Sequence, residues 1–517
     1  MQERNDSPIT TNNMYEKRIM KALLIYPKFP DTFWSFKHAL KFILKKASSP
    51  PLGLLTVGAM IPEAWEKKLV DMNVETLNDD HLRWADIVFL SAMSVQKESV
   101  KEVIARCKAV RVRIVAGGPL FTTEDELFPD VDHLVLNEAE ITLKRFLEDF
   151  EQDCAGHLYT TDRWADIRTT PIPLWRLINI KRYATINIQY SRGCPYNCEF
   201  CDITLLCGRT PRTKDKDQVI RELESIYARG FRGGVFFVDD NFIGNKKKLK
   251  EEILPAVAGW MERKKHPFSF ETQASIELSD HEDLMQLMVR AGFDTVFVGI
   301  ETPNEQSLAE CSKLQNRNRD LLGSIRKIQQ AGLEVQGGFI VGFDNDPVTI
   351  FDTQIRFIQK SGVVTAMVGL LNALPRTQLY NRLEKERRLV KETSGDNTDF
   401  SINFIPKMNY DILIDGYKKI LSTLYSPRHY YERVRTFLRE YIPPQKKMFH
   451  FRFNHLAAFF MSVIVLGIIG KERFHYWGLL FWTVFKRPRL FPQAVTLAIY
   501  GFHFRRIFEK HLHGTAC

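Results

Sequence analysis

Apolar and polar positions change their period several times along this chain. Short apolar runs at 21–26, 68–71, 86–91, 113–116 and 133–136 read as strands. Helical patterns lie among them. Residues 52–60 follow Pro50 and Pro51, a proline start to a helix. Residues 97–110 set Val100, Val103, Ile104 and Cys107 on one face, and 140–150 form a further helix. This alternation predicts an α/β fold with a Rossmann-like doubly wound parallel sheet over 19–155, preceded by a disordered polar tail at 1–18. Such sheets bind ligands in the loops at their strand C-termini, where Ser91, Ser94, Gly117 and Gly118 stand. The two glycines let a ligand approach the backbone closely, and serve equally as plain turn residues.

Alternation resumes after residue 170. Residues 184–190, 234–238, 268–272, 295–300, 335–342 and 364–371 predict six strands, each ending in polar or glycine residues. Over 170–388 six strands alternate with helices, and chemistry is expected at the strand C-termini, as in barrel enzymes. A polar, turn-rich linker follows at 392–398, and helical patterns fill 400–517. Within them, 456–470 is apolar for 15 residues, short of the roughly 20 needed to cross a bilayer.

Charge sharpens the reading of this last region. Residues 431–517 hold 14 Lys and Arg against 4 Asp and Glu, a surplus that equals the +10 of the whole chain. A basic excess at one end points to a local anionic partner. Aromatic and basic residues alternate there around the apolar run, as in Trp477, Phe481, Trp482, Lys486, Arg487 and Arg489. That mixture suits a helix lying in a lipid interface. Nucleic acid fits poorly, because its binding patches seldom carry so much aliphatic surface. A helical cap buried on the barrel accounts for the same run. Residues 1–13 precede no apolar segment of a secretory signal, so a cytoplasmic protein is expected, peripheral on the inner face of the membrane if the tail is interfacial.

Chemistry concentrates in Ser191-Arg-Gly-Cys194-Pro-Tyr-Asn-Cys198-Glu-Phe-Cys201-Asp202. The spacing C-x3-C-x2-C brings three thiolates to one loop at the end of a strand. An iron–sulfur cube normally takes four thiolates, so three leave one iron open to a small molecule. A structural zinc site usually shows two separated ligand pairs, and no second C-x2-C occurs. Cys207 is near enough in sequence to be weighed as a fourth ligand. Arg209, Arg212 and Lys214 follow the loop and could position an anionic group, or form a solvated basic turn.

The cysteine loop and the six strands of 170–388 resemble the radical S-adenosylmethionine enzymes, and the strand count matches that family's partial (β/α)6 barrel of the TIM type. The resemblance implies a 4Fe–4S cluster on Cys194, Cys198 and Cys201, with S-adenosylmethionine chelating the open iron and giving a 5′-deoxyadenosyl radical on reduction. By position it implies that Asp239 and Asp240 contact the S-adenosylmethionine amino group, and that Glu271 and Glu301 face its ribose and amino-acid atoms. Gly338, Ile340 and Gly342 match the adenine-facing G-x-I-x-G-x-x-E element, whose final Glu is Asn345 here. The first domain resembles the cobalamin-binding domain of the class B methylases, with Ser91, Ser94, Gly117 and Gly118 as candidate cobalamin contacts. The D-x-H-x-x-G signature is missing: the loop after the first strand reads Pro27-Lys-Phe-Pro-Asp-Thr-Phe-Trp34. The resemblance therefore implies cobalamin without that histidine ligand. The domain order and helical tail are similar to the subgroup with a DUF4070-type C-terminal region, which includes the hopanoid ring methylases. It implies methyl transfer to an unactivated carbon of a small-molecule or lipid-like substrate, with an electron donor such as flavodoxin or ferredoxin. Two rival readings stand beside it: a cobalamin-independent radical enzyme that cyclises or couples lipid carbons, and a non-catalytic cluster protein that binds membranes or a partner.

Overall fold

The computed structural model describes residues 19–396, 398–444 and 453–512; the tail expected at 1–18 lies outside them. β1 (Lys21–Tyr26), β2 (Glu66–Asp71), β3 (Ile87–Ser91), β4 (Arg113–Gly117), β5 (His133–Val135) and β6 (Leu158–Tyr159) form a parallel sheet in the order β2-β1-β3-β4-β5-β6. α1 (Leu52–Met60), α2 (Lys97–Ala109) and α3 (Ala139–Glu151) cross over between strands. Central strands of such a sheet are buried on both faces and therefore read as unbroken apolar runs; Ala22 to Ile25 are wholly buried. Strand order reverses between β1 and β3, which opens a crevice at the loops that follow them. β6 escapes the sequence pattern because two residues are too few to show a period.

β7 (Thr185–Ile188), β8 (Gly233–Phe237), β9 (Phe268–Gln273), β10 (Phe293–Glu301), β11 (Glu334–Val341) and β12 (Ala366–Leu370) form the second parallel sheet, in strict sequence order. Between successive strands from β7 onward run α4 (Lys216–Ala228), α5 (Leu254–Arg263), α6 (Glu282–Ala291), α7 (Leu321–Gln330) and α8 (Ile350–Ser361). Local chemistry sets their ends. Asp215 accepts from the Gln218 N–H at 2.7 Å to cap α4, and Gly292, at φ 106°, ends α6. This barrel is open between β7 and β12, and the first domain fills the seam. The Thr185 N–H donates to Ser48 O at 2.8 Å on the β7 side, and Trp34 reaches Met367 on the β12 side.

The C-terminal region adds α9 (Gln378–Lys385), α10 (Tyr410–Leu424), α11 (Pro427–Glu440), α12 (Phe453–Ser462), α13 (Arg473–Lys486) and α14 (Phe491–Leu512). The linker expected at 392–398 is pinned rather than free: Glu392 pairs with Lys97 at 3.2 Å, and Gly395 packs on the backbone of Ser94 and Val95. The apolar run 456–470 spans α12 and a π-helical stretch, Val463–Ile469. It is both wall and surface: Ala458 and Leu466 are buried, while Phe460, Ile464 and Ile468 are exposed. No helix among the described residues is long and apolar enough to cross a membrane. α14 starts at the N-terminal end of the barrel, where Gln493 donates to the carboxylate of Glu334, the first residue of β11.

Candidate active site

β7 delivers the chain to Ser191, and Gly193 (φ +99°) turns it into the cysteine loop; a Cβ on Gly193 would lie 2.7 Å from Thr210 O, so only glycine fits. Asp239 holds this turn from beneath. Its carboxylate accepts from the N–H groups of Tyr190 and Ser191 and from the Ser191 hydroxyl, and it is fully buried. Successive side chains after a strand point to opposite sides, and the structure separates the acidic pair accordingly. Asp240 lines the central cavity and Asp239 does not. One oxygen of Asp240, Oδ2, is buried without a hydrogen-bond partner. Burial pushes the Asp240 carboxyl up to about 6 against the pull of the Gly193 N–H, and nearby Asp202 adds to the rise.

Cys198 is buried, and Cys194 and Cys201 are half-buried. Cys194 and Cys201 each lie within electrostatic reach of Cys198, whereas the charged neighbours of Cys207 are Asp240, Arg192, Glu138 and Arg212. Among the described residues no three His, Cys, Asp or Glu side chains close on a single metal ion. A four-iron cube gives each thiolate its own iron, so its ligands need not meet at one point. The loop is held from outside by Glu199, whose carboxylate takes Arg382 Nε at 2.6 Å and Nη2 at 3.1 Å, a two-point contact of the strong kind.

Two side chains beside the cysteines carry no sequence signal. Gln315 Nε2 lies 3.9 Å from Cys198 Sγ. Lys313 Nζ donates to Glu301 Oε1 at 2.7 Å; burial lowers its affinity for a proton, but Glu301 and Cys198 more than reverse that. Glu301 itself sits at φ 64°, a left-handed conformation that costs a non-glycine residue energy and recurs at functional sites. Gly299 makes room for this pair, since a Cβ there would lie 2.4 Å from Glu301 Oε1.

A cavity of about 1700 Å³ joins the three regions of the chain. Ser91, Gly117, Gly118 and Glu138 line it from the first domain, and Cys201, Asp202, Asp240, Glu271, Glu301, Gly338 and Ile340 from the barrel. Ala458, Phe459, Val495 and Tyr500 line it from the C-terminal helices. Ser94 lies outside the lining, and so does Gly342. The two first-domain glycines are demanded by the fold itself: a Cβ on Gly117 would meet Val135 O at 2.4 Å, and one on Gly118 would meet Ser91 Oγ at 2.4 Å. Asp346, one residue past Asn345, supplies the carboxylate of the β11 loop. It accepts from the N–H groups of Gly342 and Phe343 at 2.9 and 3.1 Å, so it closes the turn.

Glu271 differs from its expected place at a strand end. It lies within β9, level with Phe236 and Thr295, and Gln273 ends the strand. Its carboxyl is pushed up to about 7 by burial, with Asp294 adding to the rise. The surrounding chamber is aromatic, with Trp34, Phe36, Phe236, Phe297 and Tyr500 on its walls.

The first domain is tied to the cysteine loop by ion pairs. Arg192 Nη2 meets Glu140 Oε1 at 2.8 Å, and Arg212 Nη2 meets Glu138 Oε1 at 2.8 Å. Lys214 is buried against Glu222, and Arg209 is exposed. Arg212 and Lys214 are thus occupied by carboxylates of this chain.

This arrangement of a sheet crevice, a three-cysteine loop and helical cap matches known proteins over most of its length. Residues 46–147 match the B12 binding domain, 188–370 the radical SAM superfamily, and 377–516 a domain of unknown function, DUF4070. An uncharacterized methyltransferase of Synechocystis sp. is 40% identical over 95% of this chain and 92% of its own. The chain belongs to the cobalamin-binding radical S-adenosylmethionine methyltransferases. The hopanoid C-2 methylase of Rhodopseudomonas palustris is 33% identical over 79% of this chain and 77% of its own. The fold is shared with the cobalamin-dependent S-adenosylmethionine radical enzyme OxsB (TM-score 0.60, 15% identity, 96% of this chain and 80% of that one). It is shared also with the radical S-adenosylmethionine methyltransferase TsrM from Kitasatospora setae (0.58, 14%, 89% and 98%). Membership in these methyltransferases implies S-adenosylmethionine, a 4Fe–4S cluster and cobalamin as cofactors.

The residues present fit these groups. Cys201 lines the cavity with Cys194 and Cys198 on the same loop behind it, the unpartnered Asp240 Oδ2 offers an acceptor for an ammonium group, and the crevice loops of the first domain open into the same cavity. Histidines of the first domain do not line it; among the described residues the histidine that does is His455, on α12.

Proposed function

We propose that this methyltransferase acts on an unactivated carbon of a lipid-like substrate, held in the aromatic chamber of the barrel. The observation that carries this reading is the cavity itself, continuous from the cobalamin-type crevice past the cysteine loop into an apolar chamber closed by α12 and α14. The name of the hopanoid relative supports the same class of substrate.

Cys194, Cys198 and Cys201 hold three irons of the cluster. Asp240 takes the S-adenosylmethionine ammonium, and Glu301, fixed by Lys313, faces the same ligand from β10. Asp239 orders the loop from beneath without reaching the ligand. Gly338 and Ile340 form the floor under the adenine. Ser91, Gly117 and Gly118 shape the crevice for cobalamin, which is held without a histidine from the first domain. When bound, these cofactors supply the electron, the hydrogen-abstracting radical and the methyl group. The chain's own residues position them, exclude water through the aromatic walls, and keep the two cofactor domains in register through Arg192–Glu140 and Arg212–Glu138. A small one-electron carrier of the flavodoxin or ferredoxin type supplies the reducing equivalents.

Two tests follow. Lipids of a strain lacking the gene are compared with those of its parent; loss of a methylated lipid is expected, and an unchanged lipid profile with a changed soluble metabolite would overturn the substrate class. Electron paramagnetic resonance of bound cob(II)alamin should show no splitting from a protein imidazole nitrogen; such a splitting that persists in His455→Ala would refute a site without a first-domain histidine.

A further inference from the structure

The outer face of the α12–α13 hairpin is exposed among the described residues. Ile464, Ile468 and Ile469 expose their side chains from the first arm, and Phe474, Phe481 and Phe485 from the second; Phe474 and Phe485 are 78% and 79% exposed. Their spacing is helical, so each arm presents one apolar stripe. Single exposed apolar residues are ordinary, but a run of them on two packed arms marks an interaction site. Trp477, which donates to Gly467 O at 3.0 Å, locks the arms together.

Charge decides what covers this face. Lys471, Arg473, Lys486 and Arg489 are exposed around it. The one acid between 453 and 490, Glu472, is buried against Arg505. A second copy of this chain docked symmetrically would bring like charges together. An anionic lipid surface complements both the apolar stripe and its cationic border.

The same hairpin is the wall of the chamber. Ala458 and Phe459 line the cavity from α12, and Phe491 and Val495 line it from α14. Phe459 and Phe491 meet at 5.8 Å between ring centroids, so α12, the helix that leads into the exposed stripe, touches α14 through apolar rings at the chamber wall. We propose that the outer face of α12–α13 docks on an anionic lipid interface and that apolar substrate passes from it between α12 and α14, at the barrel end opposite the cysteine loop. The passage rests on the lipid-substrate reading above; the docking stands without it.

The test uses the full-length protein with its cluster reconstituted and vesicles of phosphatidylcholine, alone or mixed equally with phosphatidylglycerol. Co-sedimentation with the mixed vesicles and little with phosphatidylcholine alone is expected. Lys471→Glu with Lys486→Glu removes two charges that each strengthen binding about fivefold, so the pair should weaken it by at least an order of magnitude. Phe474→Ser with Phe485→Ser should abolish the part of binding that survives high salt. All four positions are exposed, and an unchanged circular dichroism spectrum and cluster absorbance certify the fold. Failure of the wild type to bind mixed vesicles, equal binding by both variants, or a dimer in ultracentrifugation that the phenylalanine variant dissolves would each overturn the docking. Methylation of detergent-dispersed substrate together with absent vesicle binding would refute docking while leaving the substrate class intact. Vesicle binding without any lipid product would do the reverse.

Discussion

Trp34 donates its indole N–H to the sulfur of Met367 at 3.0 Å, across 333 residues of sequence. The contact places the loop after β1, where the D-x-H-x-x-G histidine is missing, in the open seam of the barrel. Its ring also meets Phe297 edge-on at 5.5 Å. A segment that lacks the histidine thus closes one side of the aromatic chamber. Trp34→Ala should lower the stability by about 1–3 kcal/mol, less than a fully buried tryptophan, and slow methyl transfer far more than it lowers iron content. Equal loss of iron and activity would show that Trp34 only supports the fold.

Arg192 and Glu140 make the domain junction, and both are largely buried. Removing one partner leaves the other charge buried, so Arg192→Ala should cost about 3 kcal/mol. Burial would raise the Glu140 carboxyl, but Arg192 overrides it and holds the group down at about 2. A depressed carboxyl stabilises the fold above its ordinary value of 4.5 and loses that contribution as pH falls toward 2. The stability difference between wild type and Glu140→Gln, from denaturant unfolding, should be flat from pH 6 to 8 and shrink below about 5.

Glu271 carries the opposite sign. Its carboxyl is raised from 4.5 to about 7, so its contribution is present below 4.5 and lost as pH rises through 7. Glu271→Gln should therefore be more stable than wild type at pH 8–9, on the order of 1–3 kcal/mol, with little difference at pH 5. Thermal unfolding at the two pH values measures this; a variant less stable at high pH would show the carboxylate to be paired.

Gln315 donates toward the sulfur of Cys198. Hydrogen bonds to cluster sulfurs raise the reduction potential. Gln315→Leu should shift the potential negative, on the order of tens of millivolts, at unchanged iron content, as redox titration would record. An unchanged potential would remove Gln315 from the cluster's surroundings.

The cysteine loop and both parallel sheets were legible because each rests on local signals: spacing for the thiols, apolar period for the strands. What the sequence hides is depth and direction. Asp239 and Asp240 are equivalent as letters, and only the strand's alternation turns one beneath the loop and the other into the cavity. Glu271 reads as a strand end because polar residues follow it, yet the register carries β9 on to Gln273. Lys313 and Gln315 follow a short helical turn with no motif, and reach the site only through the fold of that loop. The run 456–470 is at once chamber wall and exposed stripe, a division its composition cannot express.

The central claim is radical methyl transfer into the apolar chamber. The direct measurement incubates the anaerobically reconstituted protein, methylcobalamin, a strong reductant and deuteromethyl-labelled S-adenosylmethionine with lipid extract from the deletion strain. Mass spectrometry then follows 5′-deoxyadenosine and labelled lipid together. Both should form in the wild type, and neither with Cys198→Ala. Labelled lipid from the Cys198→Ala protein, or 5′-deoxyadenosine from the wild type with no labelled lipid, would contradict the account.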